Sequence, residues 1–401
     1  MRPIKQLIVL AAGVLMLSCS NDAALKKRAY DLAHKFIITD GHIDVPWRLN
    51  DGYEDLSVRT DGGDFDYVRA KEGGLDAPFM SIYVPSSYQE TGGAKEKADS
   101  LIDLVHRIAN DHPDKFEVAF SVSDVNRIFE DGKIALPMGM ENGAPLEGDI
   151  NNVKYFYDRG IRYITLTHGK DNFICDSSYD TTADRWGGLS PKGKEIVKEM
   201  NRVGIMVDIS HVTDEVINQV MDMTNVPVIA SHSSCRYFTP GWERNMGDAE
   251  IKRLKDNGGV IQINYGSSFV TQASQDKRKA NSEKIAAYAE KNGLDENDSD
   301  LKTFAKKVNE ENPMYADITE VVDHIDRVVA LAGIDHVGIG SDYDGVGDTL
   351  PYGLKDVTSY PNLIYHLLKR GYSEDDIEKI CYKNVWRVWT AVEKAASNSK
   401  S

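Results

Sequence analysis

His42 and Asp44 stand one residue apart in the apolar run "DGHIDV", Asp40 to Val45. Side chains two apart on a strand share a face, so an imidazole and a carboxylate are aimed in one direction. The same residue types end other apolar runs: Glu141, His168, His211 in "VDISH", His232 in "VIASH" and Asp342 in "GIGSD". Imidazoles and carboxylates with no thiolate nearby suit zinc or a similar divalent ion. His211 and His232 suit one ion, the His42 and Asp44 pair suits a second, and Glu141 is able to bridge them. Asp44, Glu141 and a bridging hydroxide offset three of the four positive charges of two such ions, and Asp342 offsets the last. A pair of ions roughly 3.5–4 Å apart makes a nucleophilic hydroxide at neutral pH and polarises a carbonyl. Asp342 is then placed to take the proton of the bridging water and pass it to a leaving amine. His168, if it is not a ligand, donates to the carbonyl oxygen as that atom gains charge. Asp344 has the same facing as Asp342 and competes with it for the acid–base role.

These residues need elements that bring them to one place. Eight β-like runs recur along the chain: 36–44, 78–84, 134–141, 161–168, 205–211, 226–232, 259–265 and 336–342. Helical patterns or long polar stretches separate them. Ser190 reads as an N-cap, with Pro191 at the first helical position and Gly204 past the end. In "DITEVVDHIDRVVALAG" the apolar residues Ile318, Val321, Val322, Ile325, Val328 and Val329 follow a helical period. Strand–helix alternation repeated eight times predicts a (β/α)8 TIM barrel, whose strand C-termini converge on one catalytic face. Six of the eight runs end in a candidate ligand or catalytic residue. The surplus length lies mainly after strands 1, 2, 4, 6 and 7, in the βα loops that wall such a face. His34, His106, His112, His324, His336 and His366 fall in helices, loops or a strand start and read as structural.

With these residues in view, the chain resembles the membrane dipeptidase (renal dipeptidase) family of metallopeptidases, within the amidohydrolase-like barrels. The stretches that carry the resemblance are "DGHIDVPWRL", "YDRGIRYITLTH", "GLSPKGKEIVKEMNRVGIMVDISH", "PVIASHSS", Arg244–Asn245, "GIGSDYDGV" and "YPNLIYHLLKRGYSEDDIEKICYKNVWRV". They extend from about Asp40 to Val388. The resemblance implies a zinc dipeptidase with two Zn2+ per chain that hydrolyses dipeptides by attack of a metal-bridging hydroxide. It implies His42, Asp44 and Glu141 around one zinc, and Glu141, His211 and His232 around the other. It assigns acid–base work to Asp342, contact with the substrate carbonyl to His168, and the substrate's terminal carboxylate to Arg244. It places Tyr265 in the substrate pocket. A homodimer follows from the resemblance alone. Two features depart from the family's pattern. Asn142-Gly143 follows Glu141 where two glycines are usual, and the charged segment from about Ala273 to Asn312 has no counterpart. That segment is expected to be a solvated excursion rather than a lid.

Forty-seven basic and 63 acidic residues give the 401-residue chain a formal charge of -16. Such a chain repels phosphate backbones, which argues against nucleic-acid binding. Arg2 and Lys5 precede an apolar run from Leu7 to Leu17, too short to span a bilayer and fitting a signal peptide. "LMLSCS" resembles a bacterial lipobox, which implies removal of residues 1–18 and an exported lipoprotein anchored through lipid on Cys19. An ordinary secretory signal with an incidental cysteine is the alternative. Residues 19–25 then form a linker, 26–394 one catalytic domain and 395–401 a frayed polar tail. Cys175, Cys235 and Cys381 show neither zinc-motif spacing nor a deducible pairing, and no disulfide framework is expected. Two rival functions stay in view: hydrolysis of another amide, such as an N-acyl amino acid or a lactam, and a non-catalytic solute-binding lipoprotein.

Overall fold

The eight apolar runs become eight parallel strands in one sheet. In the computed structural model, which describes residues 22–182 and 185–398, they are β1 (Thr39–Ile43), β2 (Ala77–Tyr83), β3 (Met138–Glu141), β4 (Ile161–Thr165), β5 (Met206–Asp208), β6 (Ile229–Ser233), β7 (Val260–Ile263) and β8 (Val337–Ile339). Their order in the sheet is their order in the sequence. The ring closes between β8 and β1. Ile43 bridges Tyr343 in parallel, Asp44 N donates to Tyr343 O at 2.8 Å, and Asp342 N donates to His42 O at 3.1 Å. This is the (β/α)8 barrel that the alternation predicts.

The third expected strand is corrected by its proline. Pro137 has no N–H to donate to a ladder, and the run 134–141 breaks there. Ile134–Leu136 pairs instead with Phe116–Val118 in a separate two-stranded ribbon, and only Met138–Glu141 joins the barrel. Proline's carbonyl still serves the sheet, accepting from Met80 N at 2.8 Å.

Five helices bear on the site and its support. α1 (Pro191–Val203) starts and ends as its sequence predicts: Ser190 accepts from Gly193 N, and Gly204 takes φ 104°. α2 (Gln272–Asn292) and α3 (Ser299–Glu311) form the charged insertion, a helical hairpin with two buried residues in each helix. Tyr288 and Phe304 stack between them with centroids 3.9 Å apart. α4 (Ile318–Ala332) buries Ile318, Val321, Val322, Ile325 and Val328 of the apolar stripe read from the sequence and leaves Val329 half-buried. α5 (Asn384–Asn398) lays Val385, Trp386, Val388, Trp389 and Val392 among Ala77, Phe79, Tyr163, Met206 and Val260. Those five partners come from β2, β4, β5 and β7, so α5 plugs the floor of the barrel. Helical structure runs to Asn398 with Ala396 buried, so the tail expected from 395 is part of a packed helix. At the other end a helix spans 22–33, and Leu25 packs on the core, so the expected linker is structured from residue 22. The signal-peptide and Cys19 readings lie outside the described residues.

The lumen is tightly fitted. A Cβ on Gly41 would lie 1.7 Å from Gln262 Nε2. Only glycine leaves room for that amide, which donates to Ile339 O on the neighbouring strand at 2.9 Å. This rigid lumen is the base on which the polar strand ends stand.

Candidate active site

At the C-terminal end of the barrel the chain gathers the ligands that strand alternation aims inward. Glu141 lies at the centre. Its Oε2 is 3.4 Å from His42 Nε2, and its Oε1 is 3.1 Å from His211 Nε2 and 3.3 Å from His232 Nε2. The two carboxylate oxygens therefore face two different groups of ligands, as a bridging residue must. Asp44 Oδ2 is 3.4 Å from His42 Nε2. Three overlapping sets of ligand atoms lie close enough to hold an ion: His42, Glu141 and His232; Glu141, His168 and His211; and His42, Asp44 and Asp342. The sets regroup the expected ligands and admit His168 and Asp342 to the cluster. His168 Nε2 is 3.5 Å from Glu141 Oε1.

The hydrogen bonds behind two histidines fix which nitrogen faces the centre. Tyr163 donates its hydroxyl proton to Gly41 O at 3.0 Å, so at 2.8 Å it can only accept from His42 Nδ1. Ser231 donates to Asp208 Oδ2 at 2.6 Å, so at 2.7 Å it can only accept from His232 Nδ1. In neutral rings both protons sit on Nδ1, and both Nε2 atoms present lone pairs. His42 Nε2 and Asp44 Oδ1 are buried without a hydrogen-bond partner, and His211 Nε2 lies 2.8 Å from His232 Nε2. Arg244 Nη2 approaches His211 Nε2 at 3.0 Å and Ser81 Oγ donates to Glu141 Oε2 at 3.4 Å, but the remaining lone pairs and carboxylates face one another and repel unless a cation sits among them. The residues present fit a divalent metal site, with ordered outer partners of the kind such sites use.

Electrostatics agree with that geometry. Burial holds His211 and His232 well below the ordinary imidazole range, with the Arg244 charge adding to the effect at His211 and His42 adding at His232. Both therefore stay neutral, as ligands must. Burial opposes a positive charge on His42, but Tyr163 and the Asp44 and Glu141 carboxylates outweigh it and raise its pKa well above the usual value. The centre attracts positive charge. Asp342 behaves in the opposite way: burial, then repulsion from Asp44, pushes its carboxyl up to about 8.

Backbone strain is concentrated here. Asn142, His211, Asp342 and Asp344 all have left-handed φ, from 64° to 80°, a region non-glycine residues rarely occupy and one that often marks functional sites. Asn142 explains the departure from paired glycines. Asparagine tolerates this conformation, and its side chain locks the turn by donating to Val84 O at 2.9 Å and accepting from Ala144 N at 3.1 Å.

A cavity of about 340 Å³ opens above the cluster, lined by Asp44, Glu141, His168, His211 and Asp342. Four expected residues stand outside its wall: His42 and His232, buried within the cluster, and Tyr265 and Arg244. Tyr265 is buried against Tyr343, ring centroids 5.8 Å apart. Gln262 and Asn264 face the lumen, so the alternation of β7 turns Tyr265 away; this corrects the expectation that it reaches the substrate. The tyrosines on the cavity wall are Tyr83 and Tyr179. Arg244 lies beside His211, its Nη2 3.0 Å from His211 Nε2, but its guanidinium is buried. Nη1 donates to Ser233 Oγ at 2.9 Å and Nη2 to His232 O at 2.8 Å.

Other residues emerge only from the structure. Asn264 Nδ2 donates to Asp342 Oδ2 at 2.7 Å and orients that carboxyl. Asp344 also lines the cavity, but its carboxylate is engaged elsewhere. Its Oδ1 accepts from Asp64 N at 2.7 Å, and Arg48 Nε lies 3.3 Å from its Oδ2. Asp208 and Ser231 stand as polar residues inside apolar runs, "VDISH" and "VIASH", and that is the signal that could have found them. His324 is structural, bonded at both ring nitrogens to backbone at Cys235 and Val270. The three described cysteines are buried and free.

Comparison with known proteins identifies the family. The sequence profile described as "Membrane dipeptidase (Peptidase family M19)" matches residues 26–401. The chain is 34% identical to Dipeptidase tcpJ of Claviceps purpurea over 90% of its length and 78% of that protein's. It is 31% identical to an uncharacterised dipeptidase of Schizosaccharomyces pombe, over 92% of this chain and 84% of the other. Among solved structures, the probable dipeptidase PvdM from Pseudomonas aeruginosa superimposes with a TM-score of 0.80 at 28% identity, covering 93% of this chain and all of that one. A cation-seeking cluster at the mouth of a (β/α)8 barrel thus meets a family match over nearly the whole chain: the protein belongs to the membrane dipeptidase family and is a metal-dependent dipeptidase.

Proposed function

We propose that the chain is a zinc dipeptidase with two Zn2+ ions, His42, Asp44 and Glu141 holding one and Glu141, His211 and His232 the other. The observation that carries this reading is the division of Glu141, one oxygen facing His42 and the other facing His211 and His232. When bound, such a pair of ions supplies a polarising charge on a carbonyl and makes water more acidic. The chain's own groups do the rest. Asp342, on the cavity wall beside the ligands, takes a proton and returns it, and Asn264 keeps its carboxyl aimed. His168 stands on the cavity wall, where it donates to the scissile carbonyl oxygen as negative charge grows. Arg244 lowers the proton affinity of His211 and so keeps that ring available as a ligand.

Asp342→Asn tests the assignment. Turnover of dipeptides should fall by roughly 10²–10⁴-fold, while elemental analysis still finds two zinc per chain; full activity in this variant would remove Asp342 from the reaction. The same site could work on another amide, and a screen of L,L, L,D and D,L dipeptides against N-acyl amino acids and lactams separates the two. Export as a lipoprotein held by Cys19, and pairing into a homodimer, belong to the same proposal. Among the described residues no helix is long and apolar enough to cross a membrane, and metabolic labelling with a radioactive fatty acid tests the anchor.

A further inference from the structure

Asp44 and Asp342 stand at the ends of β1 and β8, with ligand atoms within 4.8 Å of each other. When both are charged they repel, so their spacing has to be held from outside the cluster. Asp44 precedes a short helix, Val45–Asp51, and Arg48 lies one turn along it, its N donating to Asp44 O at 3.1 Å. Asp344 stands two residues past Asp342. Arg48 Nε lies 3.3 Å from Asp344 Oδ2, and the two side chains are only 15% and 2% exposed. This ion pair joins the same two elements that the repulsion would drive apart.

A third element braces the pair. Asp64, in the loop after that short helix, exchanges hydrogen bonds with Asp344: Asp64 N donates to Asp344 Oδ1 at 2.7 Å, and Asp344 N donates to Asp64 Oδ2 at 2.8 Å. Asp64 O accepts from Val357 N at 3.1 Å, which ties the brace to the chain beyond the β8 loop. Arg48 also donates to Phe65 O at 3.0 Å and pairs with Glu54. A Cβ on Gly63, whose φ is 66°, would lie 2.2 Å from Arg48 Cζ, so the guanidinium is wedged against this loop. The β8 loop needs such support. Asp342 and Asp344 both hold left-handed φ, 64° and 65°, a conformation that persists in residues with side chains only where the surroundings over-determine it. Arg48 and Asp64 do not line the cavity, so whatever they do for the reaction they do through other residues.

We propose that Arg48, Asp64 and Asp344 are positioning residues, a clamp that holds the β8 loop in its strained form and so fixes the Asp342 carboxyl beside Asp44. The proposal rests on the reading of Asp342 as the acid–base residue.

The test uses metal-reconstituted full-length protein, with zinc in excess and L-Ala-L-Ala as substrate. The variants are Asp64→Ala, Asp64→Asn, Arg48→Lys and, as a control, Arg59→Gln, whose pair with Glu72 is exposed. Asp64→Ala should lower kcat roughly 10–100-fold, the usual effect of a misplaced reacting group, while KM and bound metal stay within about twofold of wild type. Asp64→Asn keeps an acceptor for Asp344 N and should recover most of the loss. Arg48→Lys, able to hold at most one of the arginine's three contacts, should fall between, and it carries the test if Asp64→Ala does not fold. Arg59→Gln should match wild type. In an Asp342→Asn background, Asp64→Ala should add less than about twofold, since the clamp acts through that carboxyl. A kcat within about twofold of wild type in Asp64→Ala and Arg48→Lys overturns the proposal. So does a loss that is fully additive with Asp342→Asn, that tracks lost metal, or that Asp64→Asn does not recover. Hydrogen exchange in residues 340–349 reads the clamp without turnover. Faster exchange in Asp64→Ala, restored in Asp64→Asn, upholds the clamp, and unchanged protection removes it. That measurement decides alone if wild type hydrolyses no dipeptide or Asp342→Asn keeps full activity, in which case the acid–base reading fails separately.

Discussion

Ser231→Ala probes the relay that runs from Asp208 through Ser231 to His232. The serine hydroxyl accepts from His232 Nδ1 at 2.7 Å and donates to Asp208 Oδ2 at 2.6 Å, with all three residues buried. Alanine is close to isosteric, so the fold has little reason to move. Asp208 keeps its contact with the Thr165 hydroxyl and accepts from Ser210 N at 3.0 Å and Ser231 N at 2.8 Å, so its carboxylate stays satisfied. The whole cost falls on the His232 Nδ1 proton, now buried without an acceptor, at about 1–3 kcal/mol. The ring can avoid that cost by moving its proton to Nε2 or by rotating, and either change takes the lone pair off the ion. We therefore expect metal affinity to fall roughly 10–100-fold, the range typical of lost outer partners. Competition against a graded series of chelators reads the affinity, and the melting temperature of metal-free protein reports any general damage. A variant that binds metal within about twofold of wild type would refute the reasoning, since His232 would then not need its proton fixed. A large loss of metal-free stability would refute it differently, by making Ser231 a packing residue.

Other outcomes rest on the same geometry. A Cβ at Gly345 would lie 2.2 Å from Asp44 Oδ2 and 2.3 Å from Asp342 Oδ1, so Gly345→Ala should cut kcat/KM at least about tenfold, a shift of 1.4 kcal/mol, with the fold retained by circular dichroism. Tyr265 buries its hydroxyl without a partner, so Tyr265→Phe should leave kcat and KM unchanged and hold or raise the melting temperature; a raised KM would return Tyr265 to the substrate pocket. Asp76 lies far from the ligands by sequence and fold, and burial pushes its carboxyl up to about 7 from an ordinary 3.8. Below pH 3.8 both folded and unfolded chains hold this proton. Between 3.8 and 7 only the unfolded chain releases it, so stability drains away as pH rises through that window and levels off above it. Asp76→Asn, compared with wild type by calorimetry, should lie close to it at pH 4 and gain up to about 4 kcal/mol at pH 8; parallel pH curves would sink the idea.

The clustering of His42, Asp44, Glu141, His211 and His232 was legible because strand alternation is strict and metal chemistry admits few residue types. His42 and Asp44 needed only a spacing of two, and Glu141, His211 and His232 needed only to end apolar runs. Tyr265 shows how narrow that legibility is. A one-residue difference in which side chain of β7 faces inward exchanges a tyrosine for Asn264, and no local signal separates them. Pro137, by contrast, was a readable warning that the run 134–141 could not be one ladder strand. The relay through Asp208 and Ser231 joins β5 to β6, so it exists only once the sheet has formed. The clamp on the β8 loop was hidden for a related reason. Asp64 and Asp344 lie 280 residues apart in the chain, and neither Arg48 nor Asp64 ends an apolar run.

The barrel floor bears on how the protein is born. Tyr163, whose hydroxyl steadies His42, has its ring 5.4 Å from Phe79, and Phe79 lies 5.3 Å from Trp389 on α5. Synthesis runs from the N-terminus, so every ligand-bearing strand leaves the ribosome before α5 does. Until residues 384–398 emerge, the underside of the sheet lies open, and the aromatic stack that ends in Trp389, a side chain able to cover roughly 150–250 Å², is incomplete. His42, made early, is therefore buttressed by nearly the last residues made, and the site reaches its final packing only once the chain is complete.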